Sequence, residues 1–278
     1  MNFLAILAAL AAEQFIGNWR DDTRPGLLEP LRRFFKLRSP AMVWLAILVP
    51  ALAAAVVTRA YDALADAILS GLVLFACLGP RDIASDVQKL IAARANGELA
   101  VVERITRSLH QGPEPESSHR SLLGALFIQS HERVFGVLLW FIVAGPGGAV
   151  AYCVASRLPL LLDTDSPALD MAESAHALLA WIPARLTAML LALGGSMDDA
   201  IAAWKRLRDE PHPDWRRHTW SVLAETATAS VRTDDEDEAA RMAVSLDNCF
   251  REVLRVQNRA LLILLAANAL LAAGATFA

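Results

Sequence analysis

The sequence predicts an all-α, polytopic helical membrane protein with five transmembrane helices, a short N-terminal membrane helix and helical cytoplasmic segments. Composition is the first reason: 55% of the residues are hydrophobic and only 20% are charged, whereas a soluble domain is about a quarter charged. The mean hydropathy is +0.37. The second reason is a set of long apolar runs. A helix needs about 18 or more apolar residues to cross a bilayer, and these runs have about that length. The third is that almost every Lys and Arg lies outside those runs.

The same composition excludes several other classes of protein. Such high hydrophobicity excludes a disordered chain. The formal net charge of −4 and the pI near 5.9 argue against a nucleic acid partner. Three cysteines are an odd number, and Cys77 and Cys153 lie inside apolar runs, so a disulfide scaffold is not expected. The lipid bilayer is the partner that the composition favours.

In the N-terminal segment 1–16, the apolar run stops at Glu13. This run is short for a helix that spans a membrane. No Lys or Arg precedes that run, so the positive region of a signal peptide is missing. We therefore predict a short or interfacial membrane helix. The five longer runs are predicted to span the bilayer, and they cover residues 41–58, 62–79, 134–156, 175–194 and 260–278. Because only Arg59, Ala60 and Tyr61 join the first two runs, these should form a tight antiparallel hairpin.

The positions of the basic residues predict an orientation. Lys and Arg collect on the cytoplasmic side of membrane proteins, and 23 of the 26 lie in the segments 20–38, 80–133 and 195–259. These three segments are predicted to be cytoplasmic, with the loops 59–61 and 157–174 and the C-terminus outside. The chain 1–278 is thus predicted to be a single membrane domain with cytoplasmic helical insertions at about 80–133 and 195–259.

Both insertions carry helical patterns. In the first, apolar residues at helical spacing predict helices over 83–91 and 99–109, which the pair Asn96-Gly97 separates, and a third helix from Leu122 onward. These apolar stripes need a partner, so we predict that the two insertions pack together as one helical layer.

The second insertion opens with Ser196 as the predicted N-cap of a helix and breaks at 211–213. The run from Thr233 to Glu236 fits a capping box, from which a helix should continue into the last span. The acidic residues 234–238 are interpreted as a solvated helix start, and no metal site is predicted.

Ionisable residues inside the membrane are candidates for function, because burying them costs free energy. We predict a polar cluster that holds a polar or anionic ligand, or a nucleotide, in a cytoplasm-facing cavity. Its candidate residues are Glu13, His131, Glu132, Arg133 and Arg185. Arg185 lies mid-way in its span and is predicted to pair with Glu132, with Glu13 as the alternative. A purely structural ion pair that fixes helix order is the other interpretation. The pattern indicates neither a catalytic residue nor a cofactor.

Several of these residues lie in segments that resemble a known family. The segment 181–193, WIPARLTAMLLAL, resembles the IPARL signature of the AmpE and CobD/CbiB membrane proteins. The segments 131–141, HERVFGVLLWF, and 145–152, GPGGAVAY, resemble the AmpE pattern around its glycine-proline step. The helix from Gly79 to Gly97-Glu98 is similar to a cytoplasmic helix of the same family.

The resemblance implies two different functions. AmpE proteins are inner-membrane regulatory components linked to β-lactamase induction and cell-wall recycling signals. CobD/CbiB proteins form an amide in cobalamin biosynthesis with ATP. The chain departs from the enzyme pattern, since Ser130-His131-Glu132-Arg133 has no following Asp and Trp181 replaces an Asn. These losses favour an AmpE-like signalling component over an enzyme. The amide-forming enzyme is the first alternative, and a non-catalytic scaffold for a soluble partner protein is the second.

Overall fold

The computed structural model describes residues 2–16, 40–60, 62–78, 83–211, 213–231 and 241–277. The basic segment 20–38 and the acidic run with its capping box lie outside these residues. In the described residues the regular elements are all helices, as predicted, and short turns and connections join them. The helices are α1 (Asn2–Ile16), α2 (Pro40–Arg59), α3 (Ala63–Cys77), α4 (Ile83–Ala95), α5 (Leu99–Leu109), α6 (Leu122–Ser130), α7 (Gly136–Leu161), α8 (Leu169–Gly194), α9 (Met197–Asp209), α10 (Trp215–Ala229) and α11 (Arg241–Phe277).

Four stretches of the described residues are long and apolar enough to cross a membrane. They are Ala41–Arg59, Leu122–Leu161, Leu169–Gly194 and Asp247–Gly274. The second predicted span is the shorter helix α3, whose 15 residues extend about 22 Å against a bilayer core of about 30 Å. The structure thus supports a helical membrane protein with four candidate spans, and the predicted number of five is not confirmed.

The chain divides into two compact units. The first comprises Met1–Arg81, Glu132–Pro183 and Asn268–Ala278, and the second comprises Asp82–His131 and Ala184–Ala267. The first contains the N-terminal helices and most of the apolar spans. The second contains the helices of both predicted insertions. The prediction of a single membrane domain stays a prediction.

In the first unit, α2 packs along α7. Val43, Ala46 and Ile47 share a buried cluster with residues near the end of α7 and the start of α8, namely Val154, Ala155, Leu158, Ala168, Ala172 and Ala175. Farther along α2, a Cβ added at Gly147 would lie only 2.8 Å from the carbonyl oxygen of Ala51. The start of α2 therefore lies beside the end of α7, and the part of α7 that follows Gly145 runs antiparallel to α2.

This arrangement shows that the predicted topology is wrong. That topology treats the run 134–156 as one crossing, with the loop 157–174 on the opposite side from the start of α2. The chain instead turns back within the run, because a Cβ at Gly136 would lie 2.5 Å from Cζ of Tyr152, whereas a straight helix would separate these residues by about 24 Å. The predicted topology also separates residue 79 from Arg157 across the bilayer, whereas the guanidinium of Arg157 donates to the carbonyl oxygen of Cys77 at 2.9 Å. The prediction failed because it counted the run 134–156 as one crossing, whereas the chain reverses at Gly145 and brings Arg157 back to the side from which the run starts.

Labelling of introduced cysteines distinguishes the two topologies. The antiparallel packing places Asp62, beyond the end of α2, and Ser166, between α7 and α8, at opposite ends of the first unit. We expect Asp62→Cys and Ser166→Cys to react with a membrane-impermeant maleimide from opposite sides of the membrane. A variant without the three native cysteines is the background. Labelling of both positions from the same side would contradict the antiparallel arrangement.

The helices of the second unit begin and end close to where the sequence predicts. Between α4 and α5, Gly97 adopts a φ of 72°, a left-handed conformation that glycine adopts without steric cost. Ser121 caps α6 by accepting a hydrogen bond from the Gly124 N–H at 2.9 Å. The capping side chain satisfies one of the donors that a helix start leaves open.

The two predicted insertions pack together, as expected. Helix α10 packs against both α6 and α9. The backbone N–H of Glu116 donates to Ser221 Oγ at 3.0 Å, and Arg94 Nε lies 3.3 Å from Asp247 Oδ1. These contacts join residues from 80–133 to residues from 195–259 and confirm the predicted helical layer.

Helix starts in the second insertion also follow the sequence. Helix α9 begins directly after Ser196, as predicted, but the Ser196 hydroxyl makes no capping bond to the backbone and donates instead to the Asp199 carboxylate. The backbone N–H of Ser196 donates to the carbonyl oxygen of Ser230 at 2.8 Å. Asp214 caps α10 by accepting from the Arg216 N–H at 3.0 Å. Partial burial would raise the pKa of Asp214, but this hydrogen bond and the charge of Arg216 outweigh burial and hold the pKa below its ordinary value.

Candidate functional site

A π-helical turn at His131–Phe135 interrupts the long apolar helix between α6 and α7. It carries three of the five predicted site residues, His131, Glu132 and Arg133. A π turn inserts one extra residue into a helix, which shifts the faces that its side chains occupy, and such turns are frequent at functional sites. The turn therefore marks this segment as the candidate site.

Glu132 is bound by two side chains of the first unit. Tyr152 on α7 donates its hydroxyl to Glu132 Oε1 at 2.7 Å, and His176 Nε2 on α8 lies 2.9 Å from Glu132 Oε2. The rings of Tyr152 and His176 meet edge to face, with 6.0 Å between their centroids. We call Glu132, Tyr152 and His176 the carboxylate cluster.

The carboxylate cluster is almost completely buried. Tyr152 is inaccessible to solvent, and the side chains of His176 and Glu132 are only 4% and 10% exposed. Buried carboxylates are stable only when they are paired and hydrogen-bonded. Each oxygen of Glu132 has one such neighbour, Tyr152 at Oε1 and His176 at Oε2.

Glycine at position 136 makes room for the tyrosine. A Cβ at Gly136 would lie 2.5 Å from Cζ of Tyr152, closer than any real contact. The first residue after the π turn must therefore be glycine for the tyrosine ring to reach Glu132. The turn, the glycine and the tyrosine form one local arrangement along α7.

A second glycine position reverses the direction of the chain within α7. Gly145 has φ 67° and ψ −156° and breaks the helical geometry, so that the part of α7 after Gly145 folds back and brings Tyr152 beside Gly136. Gly147 allows the close approach of α2 described above.

His131 belongs to a different cluster. Its Nδ1 lies 2.9 Å from Thr187 Oγ1, and its ring meets Trp220 edge to face at 6.1 Å between centroids. All three residues are buried within the second unit. Neighbouring residues of the π turn thus anchor two different polar clusters.

The remaining predicted site residues have the following places. Arg133 is half-buried in the first unit, and Arg185 is half-buried in the second. Glu13 lies in α1, but its side chain is outside the described residues. Since Arg185 and Glu132 belong to different units, the ion pair proposed between them stays a prediction. Groups of three or more His, Cys, Asp or Glu side chains that could hold a metal ion are absent from the described residues.

Sequence reasoning missed His176 and assigned no role to Tyr152. A signal for the histidine was present, because His176 falls at the start of the fourth predicted span, where a polar side chain is costly. Tyr152 was noted only as part of the glycine-proline segment. Neither residue could be linked to Glu132 by spacing, because the three lie on elements separated by 20 or more residues.

Comparison with known proteins gives two matches. The family described as regulatory signalling modulator protein AmpE matches residues 1–268. Among curated proteins, the cobalamin biosynthesis protein CobD of Chromobacterium violaceum is 29% identical over 199 residues, which are 67% of this chain and 60% of that protein. The matched region thus covers less than two thirds of that CobD protein. Solved structures gave no significant match.

Proposed function

Because the chain belongs to the AmpE family of regulatory signalling modulator proteins, we propose that it is a signalling component of the bacterial inner membrane. In this proposal it takes part in the control of β-lactamase induction by cell-wall recycling signals. The family match over nearly the whole chain supports a regulatory role, and the long apolar helices support a location in a membrane.

The carboxylate cluster is the proposed place where the signal is received. The observation that carries this proposal is Glu132, a carboxylate buried among apolar helices and bound by Tyr152 and His176. Burying such a group costs free energy that an apolar residue would not, which makes it a candidate for function. A polar ligand would compete for the hydrogen bonds of Glu132. For an anionic ligand, Arg133 and Glu13, which belong to the same unit as Glu132, remain proposed contributors, the arginine to charge balance and Glu13 to polar contacts. The roles of His131 and Arg185 stay predictions.

A reporter strain tests the signalling role. The host carries an inducible β-lactamase and lacks its own copy of this chain, and β-lactamase activity is measured with and without a β-lactam. We expect the wild-type chain to change the induction ratio. Glu132→Gln and Tyr152→Phe should lose this effect while reaching the membrane in normal amounts. Glu173→Gln, which changes an exposed carboxylate three residues before His176, is the matched control. An induction ratio that is the same with and without the wild-type chain would overturn the proposal.

The similarity to CobD favours one second candidate, an ATP-dependent amide-forming enzyme of cobalamin biosynthesis. This candidate makes a different prediction for the purified protein. Under it, ATP with Mg²⁺ should raise the melting temperature and be hydrolysed when an amine and a carboxylic acid substrate are supplied. A signalling component without this chemistry should show neither change.

A further inference from the structure

Two of the three cysteines lie side by side in the first unit. Cys77 is the last residue of α3, and Cys153 lies in the second half of α7. Their side chains are neighbours and interact with each other. Both residues are buried, with 5% and 6% of their surface exposed, and both are free thiols.

A separate contact places the same two helix segments together. Arg157 follows Cys153 by one helical turn, so the two side chains share a face of α7. The guanidinium of Arg157 donates to the carbonyl oxygen of Cys77 at 2.9 Å. The end of α3 is thus held against the face of α7 that carries Cys153.

We propose that Cys77 and Cys153 are a reversible dithiol–disulfide site that reacts with small-molecule disulfides. In the first step one cysteine sulfur attacks the small disulfide, breaks its S–S bond and releases one small thiol. In the second step the other cysteine attacks the resulting mixed disulfide and releases the second small thiol. The protein loses two S–H bonds and gains the Cys77–Cys153 bond, while the small disulfide is reduced to two thiols.

The bond would tie the end of α3 to α7. Helix α3 is short for a membrane span, and its C-terminal end leads into the second unit. Oxidation would attach the C-terminal end of α3 to α7 through the disulfide, and reduction would free it again. The redox state of the two cysteines would thus act on the protein independently of the carboxylate cluster. This inference does not depend on the proposed signalling function.

Titration with dithiodipyridine tests the proposal, because this disulfide enters membranes and releases a coloured thione for every thiol that attacks it. The folded full-length protein in detergent is used, and the peptides are then identified by mass spectrometry without reduction. We expect the two cysteines to release two thiones and to retain no adduct. A Cys77–Cys153 cross-linked peptide should appear and should disappear after treatment with dithiothreitol.

The three single variants supply the controls. Cys249→Ala removes a buried cysteine of the second unit and should leave the cross-link unchanged. Cys77→Ala and Cys153→Ala should each retain one pyridyl adduct on the remaining partner. Adducts retained on both Cys77 and Cys153 of the wild-type protein would overturn the proposal, and so would two unreacted thiols at these positions.

Discussion

Replacing Glu132 by leucine is expected to lower the free energy of unfolding by about 2–6 kcal/mol, because two buried polar groups lose their partner at about 1–3 kcal/mol each. The substitution leaves the hydroxyl of Tyr152 and Nε2 of His176 without the carboxylate that they contact at 2.7 and 2.9 Å. Both side chains are buried, so water cannot easily replace that carboxylate. Reversible unfolding of the purified protein in detergent measures the change.

The double variant Glu132→Leu/His176→Leu separates a pairwise effect from a simple loss of packing. It removes both partners and should be less destabilised than the sum of the two single variants by about 0.5–3 kcal/mol, the range found for residues in contact. Glu173→Leu, at an exposed position of α8, should change stability by no more than about 0.5 kcal/mol. Strictly additive effects of Glu132→Leu and His176→Leu would show that the two side chains do not interact.

Replacing Gly136 by alanine is expected to cost about 1–3 kcal/mol, the usual range for overpacking a buried position. The added methyl group would fall 2.5 Å from Cζ and 2.7 Å from the hydroxyl oxygen of Tyr152. The ring would have to move, and with it the hydroxyl that reaches Glu132 Oε1. Thermal or chemical unfolding measures the cost, and the reporter strain measures whether the signal survives.

Gly274→Ala is the matched control for this substitution. Gly274 also lies within a helix, but nothing lies within 4 Å of its added Cβ, so alanine should be neutral or stabilising by up to about 1 kcal/mol. In a Tyr152→Leu background, the smaller side chain should remove most of the cost of Gly136→Ala. An unchanged cost in that background would mean that Gly136 is required for something other than the tyrosine ring.

The sequence by itself determined the helical class and most local boundaries. The ends of α4, α5 and α9 follow from residues that act within one turn, such as the left-handed Gly97 and the helix-starting Ser196. Apolar stripes also predicted that the two insertions pack together, because a stripe that is buried on one helix needs another helix to cover it. Glu132 stood out for the same reason, since a carboxylate in an apolar run is costly wherever its partners lie.

Only the tertiary structure decided the reversal of the chain at Gly145, the π turn and the partners of Glu132. Counting charges treats each apolar run as one crossing, whereas the run 134–156 turns back at Gly145 and brings Tyr152 beside Gly136. A π turn changes which side of a helix each residue faces, so helical spacing in the sequence cannot place Glu132 beside Tyr152 and His176. These contacts join residues 20 and more positions apart, and packing brings such residues together through interactions that no local pattern in the sequence encodes.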